Sequence, residues 1–196
     1  ANVLIAADVL AATAQLPAEQ RDRLLAVDGG MLRRGNVTRV DVVSDGRFSL
    51  AADAPLDLGP GGRLAVDANA VDIGASVRAA GGSIRIGERP LASSDAQGVR
   101  RDERNLVAEA ERGSVRFGVG IELDVAGRFT NDAALPADAA AATPIVRNGG
   151  RVDISGRRLD LTTVARIAVD AGASVARNGT VTGGRAGALS LRGSQT

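Results

Sequence analysis

A five-residue phrase that recurs six times constrains this chain more than any other feature. Gly46-Arg47-Phe48-Ser49-Leu50, Gly62-Arg63-Leu64-Ala65-Val66, Gly82-Ser83-Ile84-Arg85-Ile86, Gly113-Ser114-Val115-Arg116-Phe117, Gly150-Arg151-Val152-Asp153-Ile154 and Gly187-Ala188-Leu189-Ser190-Leu191 all read glycine, any residue, apolar, polar or small, apolar. Their first glycines are separated by 16, 20, 31, 37 and 37 residues, so the unit repeats while its connections vary. Apolar residues at alternate positions give the period of a half-buried strand. One such turn of chain buries almost nothing alone. Copies stacked in parallel at about 4.8 Å build continuous sheets around a narrow interior, the architecture of a solenoid.

A narrow interior excludes bulky rings. The chain has three Phe and no Trp or Tyr, and Ala, Val, Leu and Ile supply nearly all its apolar volume. Glycine at each corner permits positive φ and close backbone approach. The fold class is therefore all-β, with a parallel coil as its unit. A β-sandwich is the alternative, but it would bury larger residues and need antiparallel hairpin turns.

The pattern is densest from Gly149 to Gly193, where Val152-Asp153-Ile154, Leu159-Asp160-Leu161, Ile167-Ala168-Val169 and Leu189-Ser190-Leu191 follow one another between Gly, Asn and Ser. These phrases, with Arg166 to Val175, Ser44-Asp45-Gly46-Arg47-Phe48 and Gly120 to Asp132, resemble the passenger repeats of filamentous haemagglutinin-type exoproteins of the bacterial two-partner secretion pathway. The resemblance covers roughly Leu24 to Gly193. It implies a right-handed parallel β-helix with irregular excursions, serving as a structural rod within a large adhesin or exoprotein, secreted or held at the surface of a Gram-negative bacterium. The implied partners are adjoining repeats of the same exoprotein, an outer-membrane transporter during export, and a host or bacterial cell-surface receptor. No active site comes with the resemblance. The secretion-domain Asn-Pro-Asn-Gly motif of that family has no counterpart here, which reads as an interior segment.

In chain order, residues 1–36 read as leading coils. Leu4 to Leu10 and Leu24 to Asp28 with Met31-Leu32 are two copies of a strand followed by a helical turn, and a short helix falls between Pro17 and Leu25. Residues 37–87 carry dense strand pattern, with a corner at Leu58-Gly59-Pro60-Gly61-Gly62. Residues 88–112 form a charged excursion, with Asn105 to Ala110 read as a strand rejoining the sheet. Residues 113–131 are coil again, 132–148 an Ala-rich excursion, and 149–193 the final coils. Six or seven coils make a rod on the order of 30 Å long.

The absence of His, Cys and Lys removes most catalytic chemistry, including Ser-His-Asp and Cys-His triads, Ser-Lys dyads, Schiff bases and a lysine-dependent phosphate loop. All 24 basic residues are Arg, against 23 acids, so the net charge of +1 provides no field for nucleic acid. The apolar run at Val3 is broken by Asp8, leaving no membrane span there. Gly118-Val119-Gly120 has Leu123 where a dinucleotide loop needs glycine. Glu122 and Asp124 are the best catalytic pair, sharing one strand face about 6.6 Å apart, but the same alternation leaves both on a solvated outer face. Asp67-Ala68-Asn69 starts like a calcium loop, with Asp72 in place of the required glycine. Asn36-Val37-Thr38 and Asn178-Gly179-Thr180 read as turns. The chain is accordingly expected to be no enzyme and to hold no metal or cofactor. The alternatives to a secreted rod are a carbohydrate-binding or carbohydrate-cleaving β-helix, which would need a groove of acids across neighbouring coils, and an intracellular scaffold of stacked coils. Arg100, Arg101 and Arg104, on a loop leaving a rigid scaffold, are the candidate contact surface.

Overall fold

The computed structural model describes residues 1–14, 16–89 and 107–193. Strand β1 (Asn2–Ala6) leads into helices α1 (Val9–Ala14) and α2 (Ala18–Arg21), and β2 (Leu24–Asp28) leads into α3 (Gly29–Arg34). There follow β3 (Arg39–Leu50), β4 (Leu56–Asp57), β5 (Arg63–Ile73), β6 (Val77–Arg78) and β7 (Ser83–Glu88). Beyond the charged segment come β8 (Ser114–Phe117), β9 (Glu122–Asp124) and β10 (Phe129–Asn131). The last strands are β11 (Arg151–Gly156), β12 (Arg158–Asp160), β13 (Arg166–Ala168), β14 (Ala173–Val175), β15 (Val181–Gly183) and β16 (Ala188–Gly193).

The chain alternates between two walls. β3, β5, β7 with β8, β11 with β12, and β16 lie side by side in one large parallel sheet. After each of the first four turns, the chain crosses to β4, β6, β9 or β13 in a smaller parallel sheet. The molecule is thus mainly β with parallel sheets. A third sheet, β10-β14-β15, contains an antiparallel pair, β14 with β15, joined through Asn178-Gly179 with Gly179 at φ 80°. That hairpin departs from the all-parallel expectation for 149–193.

The six phrases occupy two columns of the large sheet. Leu64, Ile84, Val152 and Leu189 are successive register partners, as are Val66, Ile86, Ile154 and Leu191. The phrases at Gly46 and Gly113 form the second column, where Phe48, Val71 and Val115 are aligned. Facing them from the small sheet are Leu56, Val77 and Leu123, and this shared interior is the core. Each fully buried aliphatic side chain contributes about 1.5–3 kcal/mol of transfer free energy, available only because the neighbouring turn covers it.

The opening glycines of the first column stack on one another. A Cβ on Gly82 would stand 2.0 Å from the Gly62 carbonyl oxygen, one on Gly150 2.0 Å from that of Gly82, and one on Gly187 1.8 Å from that of Gly150. None of these four has positive φ. Close approach between turns, rather than left-handed backbone, is what requires glycine here.

At the front the order departs from the sequence. β1 pairs with the second half of β3, and β2 lies beyond β1, so the chain runs outward and returns. The two strand-then-helix copies share a capping device: Asp8 accepts from the Ala11 N–H (2.9 Å) and Asp28 from the Gly30 N–H (2.6 Å). The helix read between Pro17 and Leu25 covers only Ala18–Arg21, because Leu24 and Leu25 are taken into β2.

β5 is continuous, whereas the next rung is divided into β7 and β8. The Arg89 N–H bonds to the Ala68 carbonyl (3.0 Å) and the Gly113 N–H to that of Asn69 (2.6 Å), so the chain leaves and rejoins the rung at adjacent positions of β5. The strand read for Asn105 to Ala110 is not formed in its described part. Glu109–Glu111 is a 3-10 turn, whose Glu111 side chain is drawn aside to Arg47 and Arg116. Arg100, Arg101 and Arg104 lie outside the described residues. No helix among the described residues is long and apolar enough to cross a membrane.

Candidate functional site

Strand alternation that buries one face puts charge on the other. On the large sheet, Arg39 and Arg63 both reach Asp41, Arg85 reaches Asp67, and Arg151 reaches Asp153 (2.8 Å from Nη2 to Oδ1). Arg47 bridges Asp72 and Glu111. The Arg39 guanidinium holds the Asp41 carboxyl below its usual range, and Arg151 does the same for Asp153 with help from Arg192 and Arg85. Asp160 is lowered by the Thr162 hydroxyl, and Asp28 chiefly by the Met31 N–H at the start of α3. Apart from the partly buried Arg47 cluster, these pairs have exposed arginines, tidy a solvated surface and stabilise the fold little.

The small sheet presents a different surface. Leu123 is buried, so Glu122 and Asp124 both point outward, as the alternation predicts. Register aligns Asp57, Arg78 and Asp124 across three turns and sets Glu122 beside Arg166. Asp124 is already engaged, by Arg78 Nε at 3.4 Å and by the Ala126 N–H at 2.9 Å. The Ser76 hydroxyl oxygen accepts from the Glu122 N–H at 2.9 Å. Of the two carboxylates, then, Asp124 is already paired within the sheet, while Glu122 lies in register beside Arg166.

Helix α3 converts this face into a groove. Its last turn carries Arg33 over the edge of β4, enclosing a depression of about 500 Å3 between Arg33, Asp57, Ser76, Arg78, Glu122, Asp124 and Arg166. A second depression of about 490 Å3 shares Arg33 and Asp57 and continues toward Asn36, Thr38, Pro60 and Arg128. The sequence reading found Glu122 and Asp124 but missed Arg33 and Arg128. They stand 95 positions apart on irregular or helical segments, and no periodic signal links them.

Asp67 and Asn69 lie within continuous strand β5. Asp67 pairs with Arg85, and the buried Asn69 donates its amide to the Asp45 carbonyl (2.8 Å), so no loop is formed there to wrap a calcium ion. Among the described residues no group of three potential metal ligands is assembled. Asn36, at φ 46°, and Gly179 both occupy turns. Comparison with protein-family models, curated proteins and solved structures found no match to this chain.

Proposed function

We propose that this chain is an interior segment of a right-handed parallel β-helix, a structural rod within a filamentous haemagglutinin-type exoprotein. In this reading the parent protein crosses the outer membrane through its two-partner transporter and is secreted or held at the surface of a Gram-negative cell. There the rod carries binding or toxic regions away from the cell and catalyses nothing. One observation supports the reading above others: the apolar pair of a single phrase is kept in register through successive turns while the outward residues pair among themselves. Such a chain devotes its sequence to stacking, and each turn offers its neighbour the same template. Adjoining repeats of the same exoprotein are then its first partners, and a host or bacterial receptor its distal one.

The test is where the segment is found in its own cell. Antibodies raised to residues 1–193 are applied to intact cells and culture medium, with and without the cognate outer-membrane transporter. Surface or medium staining that depends on the transporter is the expected result. Retention in the cytosol in both strains would overturn the secreted reading and favour an intracellular scaffold of stacked coils.

A further inference from the structure

We propose that the groove between α3 and the small sheet binds an acidic saccharide, with the sugar carboxylate seated by Arg33 and Arg128 and the sugar hydroxyls donating to Asp57. This goes beyond the rod reading and does not depend on export. Among the described residues most arginines on the sheet faces meet a carboxylate, yet neither Arg33 nor Arg128 makes a side-chain hydrogen bond or ion pair. Arg128 Nε is moreover buried without an acceptor. A buried donor without an acceptor is left unsatisfied, and an anionic oxygen that reached the Arg128 guanidinium would supply the missing partner. Arg33 and Arg128 both line the same depression, together with Asn36 and Thr38.

Asp57 selects the ligand class. It borders both depressions, and its carboxylate accepts only the Gly59 N–H (2.9 Å). A bare inorganic anion would be repelled by it, whereas a molecule carrying both a carboxylate and hydroxyl donors satisfies the arginines and Asp57 together. The groove is open along the stack, and it continues over Arg78 and Asp124 on successive turns spaced about 4.8 Å apart. A repeating polyol fits that continuation better than a small isolated acid.

Isothermal titration of the whole chain with trigalacturonate, with neutral maltotriose and with sodium sulfate tests this. Saturable binding of trigalacturonate is expected, about tenfold weaker in Arg33→Gln and in Arg128→Gln and unchanged in the outer-face control Arg158→Gln. Arg33 is on the surface, so its variant remains informative if Arg128→Gln lowers the melting temperature. Asp57→Asn should weaken trigalacturonate while strengthening any residual sulfate binding. Absence of trigalacturonate binding, binding indifferent to Arg33→Gln, or equal affinity for sulfate or maltotriose would each overturn the proposal. None of these results would alter the transporter dependence that tests the rod reading.

Discussion

Val152 and Leu189 are register partners on adjacent strands of the large sheet, yet Val152 is 0 % exposed and Leu189 46 % exposed. They occupy the same position of the same phrase and lie on the same side of the sheet. Val152 has a strand on each side, β7 and β11's other neighbour β16, whereas β16 is the last strand of its column among the described residues. Burial is therefore conferred by the neighbouring turn rather than by the phrase.

A matched pair of substitutions measures that difference. Val152→Asp places an unpaired charge in the interior and should cost about 4 kcal/mol or more, enough to unfold a marginal domain. Leu189→Asp, which the repeat pattern alone would rank as equally severe, should cost under about 1 kcal/mol because the carboxylate reaches water. Urea denaturation followed by circular dichroism distinguishes the two, and equal losses would show that β16 is covered in solution.

The glycine column makes a second prediction. Gly82→Ala drives a methyl group against the Gly62 carbonyl oxygen, which belongs to the backbone of the preceding turn and cannot swing aside. A loss of about 2–4 kcal/mol is expected. Gly183→Ala is the control, since its Cβ would meet nothing within 4 Å, and its melting temperature should match the parent.

Acid sensitivity follows from the lowered carboxyls. Asp28, Asp41, Asp153 and Asp160 all sit below their ordinary value of 3.8 in the folded chain. A depressed folded pKa contributes stability that is fully present above the unfolded value and lost as pH falls through the folded one. With no histidine, stability should stay level from about pH 8 to about pH 5 and decline only below about pH 4. Thermal melts across that range check the shape, and Asp153→Asn should make the acid limb shallower. A step near pH 6 would contradict it.

The feet of the charged segment provide a fourth test. Arg47, partly buried on β3, bridges Asp72 of β5 and Glu111 just before β8. Arg47→Ala removes both contacts and should cost about 1–2 kcal/mol, given the partial exposure of the cluster. Hydrogen exchange should then speed up at the Gly113 N–H, which bonds to Asn69, and remain unchanged at the Arg151 N–H, which bonds to Gly82 on the far column.

Much of this architecture was legible in the residues. The spacing of Leu64 to Val66, Ile84 to Ile86 and Val152 to Ile154 dictates strands with one buried face, because alternation has only one geometric meaning in a parallel sheet. The same alternation put Glu122 and Asp124 outside. The glycines that open the phrases were legible as corners that need positive φ or close approach, and the structure divides the two reasons: Gly82, Gly150 and Gly187 each lie against the carbonyl of the preceding phrase, whereas Gly113 has φ 73°. The groove was not legible. Its arginines come from α3 and from the segment after β9, and nothing local records that these two stretches meet.

Sequence alone determined the unit: a short strand with an apolar pair, a glycine to admit the next backbone, and too few aromatic rings to fill anything but a narrow interior. These are properties of single turns, fixed by side-chain size and by the two-residue period of an extended chain. Tertiary structure decided the order and the ends. It set β1 between β2 and β3, divided one rung around the charged segment, turned β15 back on β14, and left Leu189 uncovered where Val152 is sealed. Each of those outcomes depends on which turn lies next to which, and a repeat whose copies are nearly interchangeable cannot specify its neighbours through local pattern.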